Sequence, residues 1–70
     1  MSLPLIIQQI AKVDAKVHEL RERTRHTTDD GSREFFRVQA GHFEALRADL
    51  EAMRITLENI EARTKAISGQ

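Results

Sequence analysis

Apolar residues recur along this chain at alternating spacings of three and four, in two blocks divided by one polar break. With Leu3 at position a of a heptad, the a and d positions of the first block hold Leu3, Ile6, Ile10, Val13, Val17, Leu20 and Thr24. With Phe36 at a, those of the second hold Phe36, Gln39, Phe43, Leu46, Leu50, Met53, Leu57, Ile60, Thr64 and Ile67. Such spacing lays one apolar stripe along an α-helix and is the pattern of helices packed side by side. It predicts a first helix over about residues 3–26 and a second over about 33–67.

The break, Thr27-Thr28-Asp29-Asp30-Gly31-Ser32, is the one turn signal. Asp30 followed by Gly31 marks a reversal, with Gly31 free to take positive φ, and Asp30 or Ser32 is the expected cap of the second helix. Ser2 is the expected cap of the first, and Pro4 is tolerated in a first turn whose amides lack helical partners. A short connection favours antiparallel neighbours. The fold class is therefore all-α: residues 1–70 form a single domain, an antiparallel two-helix hairpin expected to assemble into a helical bundle or coiled-coil homo-oligomer. Phe35 and Phe36, just past the turn, are expected to close the bend.

The two predicted helices are unequal, about 33 Å and about 50 Å at about 1.5 Å per residue. Leu3 and Ile6 then fall beside Leu50 to Met53, and Leu57, Ile60 and Ile67 project beyond the first helix. The second helix also carries a stripe opposite its seam. Its c and f positions hold Val38, Gly41, Ala45, Ala48, Ala52, Ile55, Asn59, Ala62 and Ala66, with no full charge. The matching positions of the first helix include Lys12, Glu19 and Glu22, so that helix is one-faced beyond its first turns. Alanine is an ordinary helix former on exposed faces, so the weight rests on Val38 and Ile55. Gly41 costs a helix about 1 kcal/mol relative to alanine, which close approach of another backbone would explain. The expected contact residues are thus Val38, Gly41, Ala45, Ala48, Ala52 and Ile55, with Leu57, Ile60 and Ile67 at the projecting end.

Size adds a reason for partners. A chain of seventy residues buries only about 60% of its extended surface and is marginal alone. It has no cysteine, so neither a disulfide nor a thiolate metal site can help; this composition fits a reducing, cytoplasmic setting. Eleven basic and eleven acidic residues cancel, leaving no global field for nucleic acid or an acidic surface. The apolar run from Leu3 to Ile7 lacks a preceding basic residue and falls far short of a bilayer span, so neither a secretory signal nor a membrane role is expected.

Candidate chemistry is thin. His18, His26 and His42 match no zinc spacing, even with Asp29 and Asp30 in the bend, and no metal or cofactor is expected. Isolated glycines make no phosphate cradle, and two narrow helices offer no cleft to hold an acid–base pair. The expectation is a non-enzymatic protein–protein interaction or assembly module, a small oligomeric helical adaptor or regulator. Its partner is itself, as a homodimer or tetramer such as a four-helix bundle with the longer helix central, or another helical protein. The alternative is a dimeric RNA- or DNA-binding hairpin using Arg21, Arg25, Arg33 and Arg37 near the bend, a patch interrupted by Glu22, Asp29, Asp30 and Glu34. The pairs Glu19–Arg23 and Glu61–Lys65, each four apart, are expected as ordinary helix support.

Overall fold

The computed structural model describes the backbone of residues 2–68 and the side chains of residues 2–67. Helix α1 runs over Leu3–His26 and helix α2 over Asp30–Ser68. They pack against each other as an antiparallel hairpin, and no strand occurs among the described residues.

The helix ends follow local chemistry. Ser2 caps α1 as expected: its hydroxyl accepts from the Leu5 amide at 3.4 Å, and Pro4 sits in the first turn. Thr27, extended at φ −93° and ψ 131°, ends the helix, and its hydroxyl donates to the Arg23 carbonyl at 2.6 Å. The bend is tighter than expected. Only Thr27, Thr28 and Asp29 lie between the helices, and Asp29, not Asp30 or Ser32, caps α2. Its carboxylate accepts from the Ser32 amide at 2.8 Å, and its carbonyl accepts the Arg33 amide at 2.9 Å. An N-cap carboxylate that accepts the amide three residues on is a strong cap, so Asp29 captures the turn before Asp30 can. Gly31 is consequently helical, and no described residue has positive φ.

Ile6, Ile10, Val13, Leu20, Ala40 and Leu50 are buried, with Ile6 fully enclosed. Val17, Phe43 and Leu57 pack on the cluster of Ile6, Ile10, Val13 and Leu50. The α1 seam is the expected one. That of α2 is rotated: its a positions face α1, but after Gln39 its d positions do not. Ala40, Arg47 and Arg54, at e, are buried or half-buried instead, while Leu46, Met53 and Ile60, at d, are 44%, 40% and 51% exposed. Ala40 is small enough to lie under a neighbouring helix. The aliphatic stems of Arg47 and Arg54 cover apolar surface while their heads reach carboxylates at the edge.

Leu57 does not project, contrary to expectation. Helical side chains lean toward the N-terminus of their helix, so Leu57 reaches back onto the first turns of α1. Ile60 and Ile67 do remain exposed. The result is a rod of 62 × 15 × 14 Å with a radius of gyration of 17.2 Å, where a globule of this length would have about 11 Å. Its accessible surface is 5337 Å², against about 4450 Å² for a globular monomer of the same mass.

Candidate interaction surface

The contact between α1 and α2 has two long flanks, and they differ in chemistry. On one, the e and b positions of α2 meet the e positions of α1. Arg47 pairs with Asp14, and Arg21 with Glu44, both bridging the helices. Arg54 bridges Glu51 and Glu58 along α2, donating to Glu58 at 2.5 Å. The Asp14 carboxylate holds the Arg47 guanidinium protonated still more firmly than usual. Arg54 likewise keeps the Glu51 carboxyl below its ordinary range by hydrogen bonding.

The other flank is formed by the d, g and c positions of α2. Leu46, Met53 and Ile60 lie along its edge, with Phe35, His42, Asp49, Thr56 and Arg63 beside them. Ala52, Met53, Thr56 and Leu57 line a shallow apolar cleft of about 330 Å³ there. The cleft lies near the start of α1, where the shorter helix ceases to cover the longer one.

The sequence-derived contact residues fall on exposed parts of α2. Val38 and Ile55 are exposed, as are Ala45, Ala48, Ala52, Ile60 and Ile67, and only Leu57 is half-buried. A methyl group built on Gly41 would meet nothing within 4 Å, so the hairpin itself does not need a glycine there. Leu46 and Met53, assigned by sequence to the closed seam, belong to the exposed surface instead. The signal was present in the e column: an alanine followed by two arginines, with Asp14 placed to receive the first.

At the bend, Arg21, Arg25 and Arg37 line a second cleft with Thr24, Ala40, Gly41 and Glu44, and Arg33 joins Arg37 in an adjoining one. The four arginines are thus brought together. Three are paired with carboxylates: Arg21 with Glu44, Arg25 with Glu22 at 3.2 Å, and Arg37 with Glu34. Phe35 and Phe36 stack edge to face at 5.8 Å, and the Arg23 guanidinium sits 6.0 Å from the Phe36 ring. Phe36 is half-buried and closes the bend, while Phe35 is exposed.

Of the two helix-support pairs, Glu19–Arg23 forms at 3.0 Å; no ion pair joins Glu61 to Lys65. Among the described residues no group of three histidines or carboxylates is placed to hold a metal, and no helix is long and apolar enough to cross a membrane. Comparison with family models, curated proteins and solved structures returns no match to this chain.

Proposed function

We propose that this chain is a non-enzymatic protein–protein interaction module, a small helical adaptor or regulator that works as an oligomer with α2 at its centre. The carrying observation is the uncovered side of α2. Of the nine large hydrophobic side chains exposed among the described residues, seven lie on α2: Phe35, Val38, Leu46, Met53, Ile55, Ile60 and Ile67. With six buried residues among those described and this much apolar surface in water, the chain gains by covering it, since each half-exposed Leu, Met or Ile forgoes about 1 kcal/mol of burial.

Absolute mass across a micromolar dilution series tests the reading. The expected result is a mass above the 8.0 kDa of one chain that falls on Met53→Glu while helical circular dichroism persists. A mass of one chain throughout overturns it.

The rival reading, a hairpin that binds RNA or DNA, draws support from the convergence of Arg21, Arg25, Arg33 and Arg37 at the bend. Their carboxylate partners weaken it, because a phosphate must displace each one. If it held, retention on a filter at low salt would fall steeply as salt rises, and Arg21→Ala with Arg25→Ala would reduce it further.

A further inference from the structure

We infer that the apolar flank of α2 seats a second copy of this chain, antiparallel and tail to tail, about a two-fold axis near Thr56. The inference rests on the interaction-module reading and adds the occupant and its register.

The first support is a self-complementary pattern of charge. Asp49 and Arg63 both occupy g positions on this flank, fourteen residues apart, which is close to four helical turns and so one column. Neither makes an ion pair with any other described residue. Their midpoint is Thr56. A two-fold axis there sets Asp49 opposite Arg63 of the second copy, and Arg63 opposite its Asp49. A parallel, in-register pairing would stack Asp49 on Asp49 and Arg63 on Arg63.

The apolar column has nearly the same centre. Met53 and Ile60 are symmetric about a point between Thr56 and Leu57, and so are Leu46 and Ile67. The axis therefore sets Met53 against Ile60 and Leu46 against Ile67, each twice, as an isologous contact requires. The cleft lined by Ala52, Met53, Thr56 and Leu57 lies at this level and receives Ile60 of the second copy. Thr56 brings no stray polar group to the axis, because its hydroxyl donates to the Ala52 carbonyl at 3.0 Å. The contact also covers the two residues that project beyond α1, Ile60 and Ile67. It predicts an extended particle of about 85 Å at about 1.5 Å per residue, since the two bends point away from each other.

The chain has no cysteine, so Thr56→Cys gives one thiol per chain. Oxidation is expected to yield a covalent dimer, while Ile55→Cys, at the same level but on the small-residue stripe, is expected to stay uncrosslinked. Asp49→Arg and Arg63→Asp should each weaken association by about tenfold or more, and the double variant should recover it. Small-angle scattering should give a longest dimension near the predicted length, against 62 Å for one hairpin. Crosslinking through position 55 instead of 56, no recovery in the double variant, or a multimer no longer than one hairpin overturns this register and leaves the interaction module standing. A mass of 8.0 kDa at every concentration overturns both.

Discussion

The two flanks of the hairpin contact solve the same problem in opposite ways. On the charged flank, Arg47 and Arg54 cover the seam with their stems and close it with carboxylates, so the edge is finished within one chain. On the apolar flank, Leu46, Met53 and Ile60 lie at the edge and stay 44%, 40% and 51% exposed. Exposed ion pairs contribute little against solvent competition, so they do not by themselves justify turning three hydrophobic side chains toward water. The rotation of α2 makes physical sense when the exposed flank has an occupant.

Substitutions in the core and on the apolar flank should behave differently. Ile6→Ala should cost about 2–5 kcal/mol of unfolding free energy, because Ile6 is wholly enclosed and its removal leaves a cavity. Ile60→Ala should cost far less at high dilution and progressively more as protein concentration rises, since in the proposed dimer its burial comes from the second copy. Urea titrations at two concentrations check both. An Ile60→Ala penalty independent of concentration would mean that the apolar flank is finished within the hairpin after all.

Gly41 tests which side of α2 is covered. In the hairpin a methyl there meets nothing, so Gly41→Ala should stabilise by about 1 kcal/mol through helix propensity alone. Thermal melts read this directly. Destabilisation would show that a second backbone lies against the small-residue stripe, and would move the interface from the Met53 side to the Val38–Ile55 side.

How much of this was legible in the sequence depended on which residues decide each feature. The two helices, the hairpin, the Ser2 cap and the α1 seam follow from one clear periodicity. Half of the α2 seam did not, because the three-and-four pattern admits two adjacent columns and apolar content favours d. Ala40 and the arginines at e won that side of the contact through small size and long stems, properties that a count of apolar residues does not weigh. The bend was misplaced by one cap: Asp30 and Ser32 were the expected caps, and only geometry shows that Asp29 accepts the Ser32 amide. The four arginines lie together at the bend; Arg25–Glu22 and Arg37–Glu34 are local pairs three residues apart, and only Arg21–Glu44 depends on side-chain placement across the two helices.

Acid should erode the charged flank and leave the apolar flank intact. Asp29 is held below its ordinary range first by the Ser32 amide and then by its hydroxyl, and Glu51 by the Arg54 guanidinium. Both folded values lie below the unfolded ones. Their contribution is therefore complete above the ordinary carboxylate range, near pH 4, and is lost as pH falls through it and on through the depressed folded values. Arg47 and Arg54 are shifted upward and stay charged throughout that window. Thermal melts from pH 7 to pH 2.5 should thus show a modest fall in Tm that begins near pH 5, and Asp29→Asn with Glu51→Gln should flatten it. Association through Met53 and Ile60, as proposed, is apolar. The concentration dependence of Tm should therefore persist in acid. Its complete disappearance at pH 3 would mean that carboxylates, and not the apolar column, hold the particle together.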